Sequence, residues 1–187
     1  MSRLNIVNPE VATGNARASL AAVHGALGVV PNLFRIAANS PAALEGLWHL
    51  NGALTKGRFD AKLRESIALA VAEANRCAYC LSAHQALGHG AGLSEAEVDA
   101  AREAKASDPR TRAVLELARR IVEARGDIGA PALQNAKAAG LDDADIVEAV
   151  ANVAVNVFTN YLNLVADTEI DFPLAKPRAT RRAEIPA

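Results

Sequence analysis

Residues 65–84 read ESIALAVAEANRCAYCLSAH and hold both cysteines of a 187-residue chain. From Glu65 to Ala74 the stretch is rich in alanine, leucine and valine without a sustained apolar–polar alternation, so it reads as helix rather than strand. A second helix opens at the cysteines. With about 3.6 residues per turn, Cys77, Cys80 and His84 stand at i, i+3 and i+7 and project from one face.

The same helical reading extends outward in both directions. Aromatics are only 4% of the residues, and no run alternates long enough to make a strand. The helix punctuation is frequent: SEAE at 94–97 is a capping box, Asp108-Pro109 is an N-cap followed by proline in the first turn, and Asp142 precedes another start. Gly57, Gly92, Gly126 and Gly140 stand where helices stop. Helices are predicted at 15–27, 31–39, 41–56, 60–74, 77–90, 95–105, 109–125, 131–139 and 143–168. The fold class is all-α, a multi-helix bundle in one domain over 1–171, and 172–187 is an arm or a disordered tail because it is rich in proline and charge. GAGLSEAEV at 90–98 echoes AAGLDDADI at 138–146. Two similar helical units would produce this echo, and so would a helix link used twice.

The bulk numbers narrow the function classes. Twenty basic residues nearly cancel 21 acidic ones, so no long-range field draws nucleic acid or an anionic membrane. The amino-terminal MSRLNIVNPEVATG lacks a signal-peptide core, and no run of about 18 uninterrupted apolar residues follows. These features predict a soluble, cytoplasmic protein without nucleic-acid or membrane partners. Two cysteines three apart close too small a loop to serve as a structural staple. In a reducing compartment such a pair reads as redox-active or metal-binding.

Cysteines at i and i+3 can close into a disulfide. A place in the first helical turn favours a thiolate, because unpaired backbone N–H groups and the helix dipole point there. His84, one turn beyond Cys80, is within reach as a proton acceptor or hydrogen-bond partner. Glu65 lies off the polar edge that Lys62, Ser66 and Glu73 give its helix, among Ala61, Ala68, Leu69 and Ala72, so its carboxyl is expected to be partly buried. Burial favours the neutral, proton-carrying form of a carboxyl group. A turn between Ala74 and Cys77 would fold Glu65 back over the cysteines; a solvated glutamate, or one paired with Arg64 or Arg76, is the other reading.

Glu65, eleven intervening residues, Cys77, Ala78-Tyr79, Cys80, three residues and His84 resemble the E-x11-C-x-x-C-x3-H signature of the AhpD-like alkylhydroperoxidases in the carboxymuconolactone decarboxylase superfamily. FTNYLNLVADTEIDFP at 158–173 is similar to the C-terminal part of its peroxidase-related members. The resemblance implies an all-helical homo-oligomer, a trimer or hexamer. It also implies a peroxidase cycle on hydrogen peroxide or organic hydroperoxides, with electrons returned by a dithiol protein or small thiol and with no cofactor. By that resemblance Cys80 is the peroxidatic cysteine, Cys77 resolves it, and His84 with Glu65 forms the proton relay. Tyr79 departs from family enzymes that carry a histidine before the second cysteine, and a phenol is a poorer base than imidazole near neutrality.

Other readings stand beside this one. Cys77, Cys80, His84 and Glu65 would also suit zinc, though the redox reading is preferred and no metal is called for. A decarboxylase-like enzyme and a noncatalytic redox sensor are the alternative functions; the first has no evident use for a dithiol. His24, His49 and His89 read as structural or exposed, and Trp48 with Phe34 and Leu47 as core packing rather than a pocket wall. Asn152, Asn156, Thr159 and Asn163 share one face of the last helix and predict a buried polar seam that lines the redox pocket or faces another subunit. That helix is apolar around most of its circumference, which also predicts oligomerisation.

Overall fold

A computed structural model describes residues 2–178. Its helices are α1 (Gly14–Leu27), α2 (Asn32–Ala37), α3 (Pro41–Leu54), α4 (Ala61–Ala74), α5 (Ala78–Gly90), α6 (Glu95–Arg102), α7 (Pro109–Glu123), α8 (Gly129–Ala138) and α9 (Asp143–Ala166). No strand occurs among the described residues, so the protein is all-α. Two helices organise the rest: α4 packs against α5, α6, α7 and α9, while α9 also meets α2, α3, α5 and α7. Ile67, Leu69 and Val71 of α4, Leu81 of α5 and Val114 and Leu115 of α7 are fully buried in one core that also encloses Cys77 and Cys80. Each such leucine contributes about 2 kcal/mol through burial.

α6, α7 and α9 end two or three residues short of their predicted ends, because the chain turns left-handed at Ala104, Arg125 and Asp167. Gly92 and Gly140 take φ of 91° and 92°. The next residues, Leu93 and Leu141, donate their N–H groups back to the Gly88 and Ala136 carbonyls, and both leucines are buried. Ser94 and Asp142 then open capping boxes. The helices flanking the two links differ in length, 13 and 8 residues against 10 and 24. The sequence echo therefore records one link used twice. Gly57 acts differently from the expected helix stop: a Cβ there would collide with the Glu148 carboxyl group, which accepts the Phe59 N–H. Close approach, not a left-handed turn, favours glycine at that position, since a larger residue would have to push the Glu148 carboxyl off the Phe59 N–H. At α8 the helix begins at Gly129, so Pro131 occupies its first turn, where a missing N–H costs nothing.

Beyond α9 the chain does not leave the body immediately. Ala175 is buried and donates its N–H to Ser82 Oγ of α5, and the Arg178 N–H reaches Glu73 of α4. Residues 172–178 thus form an arm laid across the outer side of α4 and α5; residues 179–187 of the predicted arm lie outside the described residues. One helix, α9, has the length and mean hydropathy (1.3) to cross a membrane. Here it runs through the bundle against five other helices.

Candidate active site

The site is built on the turn between α4 and α5. The Cys77 N–H bonds to the Ala72 carbonyl and the Arg76 N–H to the Glu73 carbonyl, with Arg76 in the left-handed region at φ 57°. This Schellman closure makes Cys77 the last residue of one helix ending and also the N-cap of the next helix. The two helices consequently return side by side with almost no linker. Glu65, early on α4, meets His84, midway along α5, with 2.8 Å between His84 Nδ1 and Glu65 Oε2. Both side chains are 21% exposed. A Nδ1–H directed at the carboxylate leaves Nε2 as the lone-pair nitrogen. Glu65 is partly buried, as the pattern predicts, but of the polar edge drawn beside it only Lys62 is exposed. Ser66 is buried and donates to the Lys62 carbonyl, and Glu73 is covered by Arg102 and the arm.

Cys77 and Cys80 are free thiols, only 1% and 2% exposed, with their sulfurs hydrogen-bonded at 2.7 Å. As N-cap, Cys77 Sγ also accepts the Cys80 backbone N–H at 3.3 Å. The Cys77 thiol is pushed down from its ordinary value, first by its hydrogen bond with the Cys80 side chain and then, against burial, by that N–H and by the charge of His84. Cys80 is pushed well up, first by burial and then by the same shared hydrogen bond and the neighbouring Cys77 charge. The helix N-terminus thus favours a thiolate at Cys77, whereas at Cys80 desolvation outweighs it. Cys77 is therefore the more acidic thiol of the two, and it is not the cysteine to which the resemblance assigns the attack. Among the described residues, no three His, Cys, Asp or Glu side chains are grouped so as to hold a metal ion.

Tyr79 faces away from this chemistry. Its hydroxyl accepts the Leu33 N–H at 3.1 Å, lies against Asp171 and is raised above the ordinary tyrosine value, chiefly by burial. Its ring packs edge-on against Phe172. Tyr79 therefore ties α2 and the segment after α9 to α5, and it is not a substitute base. Phe34 and Trp48 stack edge-on at 5.9 Å, and Phe34 with Leu47 packs against Val155 of α9 as a small core cluster. His24 and His49 are exposed, and His89 caps a helix end against the Leu93 carbonyl.

The predicted amide seam is buried along its length. Its upper members bond within α9: Asn152 donates to the Glu148 carbonyl, Asn156 to the Asn152 carbonyl and Thr159 to the Asn156 carbonyl. Only Asn163 reaches the cysteines, its Nδ2 donating to Cys80 Sγ at 3.3 Å. Asn160, which the sequence reading passed over, is fully buried beside the same sulfur, where its amide favours the thiolate. Its spacing of four from Asn156 and three from Asn163 was the available signal.

Comparison with known proteins places this arrangement in a family. Residues 41–124, which contain all four predicted site residues, match the carboxymuconolactone decarboxylase family. An uncharacterized peroxidase-related protein from Ralstonia eutropha JMP134 with an alkylhydroperoxidase AhpD core superposes with a TM-score of 0.80 at 24% identity, over 91% of this chain and 92% of that one. A peroxidase-related protein from Silicibacter sp. TM1040 gives 0.77 at 21% identity, over 90% and 91%. The debrominase Bmp8, as a cysteine-to-alanine variant in complex with 2,3,4-tribromopyrrole, gives 0.75 at 19% identity, over 91% and 94%. No curated protein sequence matches the chain. From the E-x11-C-x-x-C-x3-H spacing, the hairpin that brings those residues together and these likenesses, it follows that the chain has the AhpD-like helical fold, with residues 41–124 matching the carboxymuconolactone decarboxylase family.

Proposed function

We propose that the protein is a thiol-dependent peroxidase that reduces hydrogen peroxide or an organic hydroperoxide through Cys77 and Cys80. The fold alone does not select this chemistry, since a debrominase shares it. The carrying observation is the buried pair of free thiols at 2.7 Å, beside a carboxylate–imidazole pair that can take up their protons.

In this reading the Cys80 proton passes to the Cys77 sulfur and on to His84, whose imidazolium Glu65 stabilises. The Cys80 thiolate is then the stronger nucleophile of the two, because nucleophilicity falls as a thiol becomes more acidic. It attacks the hydroperoxide: a sulfur–oxygen bond forms, the oxygen–oxygen bond breaks, and the departing alkoxide takes a proton from the relay to leave as an alcohol. Cys77, again the favoured thiolate, attacks the Cys80 sulfenic acid, and hydroxide leaves as water after protonation. Two thiols and one hydroperoxide thus give one disulfide, one alcohol and one water. A dithiol protein or small thiol returns the two electrons, which suits a cytoplasmic setting. Carboxymuconolactone-type decarboxylation would leave the dithiol without a task. Thiols are counted before and after one equivalent of hydroperoxide, and the product is mapped by mass spectrometry. Loss of both thiols into one Cys77–Cys80 bridge is expected; unchanged thiols would remove the proposal, and stoichiometric oxidation without turnover under any reductant would leave a redox sensor.

The same reading extends to assembly as a homotrimer or homohexamer. Val147, Val150, Phe158, Tyr161 and Val165 are all exposed and fall on one stripe of α9, opposite its buried amides. This inverts an ordinary surface helix, and a second copy of the chain would cover the stripe. Light scattering that found a stable monomer at micromolar concentration would end this part of the proposal.

A further inference from the structure

Two buried polar atoms on residues that flank Cys80 make no close hydrogen bond among the described residues: Asn160 Nδ2, which lies near enough to the Cys80 sulfur to favour its thiolate, and Asn163 Oδ1. Their residues are 0% and 3% exposed. A buried unpaired amide group costs roughly 1–3 kcal/mol, so each of these two, on residues that flank one reactive sulfur, calls for a partner. One is a donor and the other an acceptor. Neither orientation is accidental. Asn75, the C-cap of α4, donates its Nδ2–H to Asn160 Oδ1 at 2.9 Å, which leaves the NH2 end of Asn160 as the free one. Asn163 spends its own NH2 on Cys80 Sγ, which leaves its carbonyl free.

We propose that Asn160 and Asn163 form the oxygen-binding half of the site: the oxygen that Cys80 takes from the hydroperoxide accepts a hydrogen bond from Asn160 Nδ2, and the resulting sulfenic acid donates its proton to Asn163 Oδ1. The inference rests on the peroxidase reading and deepens it. A hydroxyl-bearing oxygen on sulfur is both acceptor and donor, which an amide pair of opposite polarity matches and a bare thiol does not. Negative charge grows on the hydroperoxide oxygens as their bond breaks, so the Asn160 donor is most useful during the transfer itself. Asn163 has a second task, holding the thiolate that attacks. Asn75 acts through Asn160 and is a positioning residue.

The test uses the full chain carrying Cys77→Ser, in which Cys80 is oxidised once and stops. Sulfenic acid formation with hydrogen peroxide is followed by dimedone trapping and intact mass, and alkylation of the same sulfur by iodoacetamide, which transfers no oxygen, is followed in parallel. Adding Asn160→Leu is expected to slow oxidation by roughly tenfold more than alkylation, which loses only the support the amide gives the thiolate; adding Asn163→Leu slows both alike. Oxidation at the parent rate in Asn160→Leu, or equal slowing of oxidation and alkylation, overturns the assignment. Should Asn160→Leu fail to fold by circular dichroism, Asn75→Ala decides: oxidation slowed more than alkylation supports the proposal, and an unchanged oxidation rate or equal slowing of both overturns it. If the Cys77→Ser parent forms no sulfenic acid at all, the peroxidase reading falls and takes this inference with it. A parent that reacts beside an Asn160→Leu variant that reacts equally fast removes only the amide role.

Discussion

The two sulfurs of the hairpin stand 2.7 Å apart in surroundings of opposite character. On the Cys77 side are a helix N-terminus and the Glu65–His84 pair at the half-buried margin. On the Cys80 side are the neutral amides of Asn160 and Asn163, with no charged group among the described residues to offset burial. Charge is therefore easy to place on Cys77 and costly on Cys80, although both belong to the same helical turn. Position relative to the helix end and the groups each sulfur meets, not residue type, divide the labour between identical side chains.

The strongest way to break this comparison is to remove one sulfur at a time. Cys80→Ser is expected to abolish reaction with hydroperoxide, whereas Cys77→Ser should react once and accumulate a trappable sulfenic acid on Cys80. A sulfenic acid found on Cys77 instead would follow the resting acidity and reverse the roles while the dithiol cycle stands. Loss of the relay comes next. Glu65→Gln keeps size and loses proton acceptance, so stopped-flow oxidation should slow on the order of 100-fold, and the loss should shrink at alkaline pH, where thiolates form unaided.

The opposed acidities also predict a pH dependence of stability in the reduced protein. Below the ordinary thiol value of 9.0, the lowered Cys77 makes the unfolded chain bind more protons than the folded one, so stability rises with pH. Above 9.0, Cys80 keeps its proton when folded and loses it when unfolded, so stability falls. Urea titrations of the reduced protein should show the pair's contribution greatest near pH 9, and the double serine variant should lack that maximum. The smallest effect belongs to Tyr79→Phe. Losing the hydroxyl that receives the Leu33 N–H should cost about 1 kcal/mol of stability and leave the oxidation rate unchanged. A large catalytic loss would return Tyr79 to the chemistry.

The all-helical fold, most helix starts and the convergence of Glu65, Cys77, Cys80 and His84 were legible in the chain, because each depends on local rules. Capping residues such as Ser94, Asp108 and Asp142 act within a few residues of themselves, and the i, i+3, i+7 spacing holds on any helix. Even the Glu65–His84 meeting follows from two helices joined by a turn too short to separate them. Solvent exposure was less legible: Ser66 and Glu73 carry the residue types of a wet edge, yet α6 and the arm cover that edge from distant parts of the sequence. The same held for Tyr79, whose partners Leu33 and Asp171 lie 46 residues before it and far beyond it in the chain. Which cysteine ionises first, and which of the α9 amides face it, depended on desolvation by packed neighbours. Desolvation is set by everything that surrounds a group in space, so only the tertiary structure could assign it.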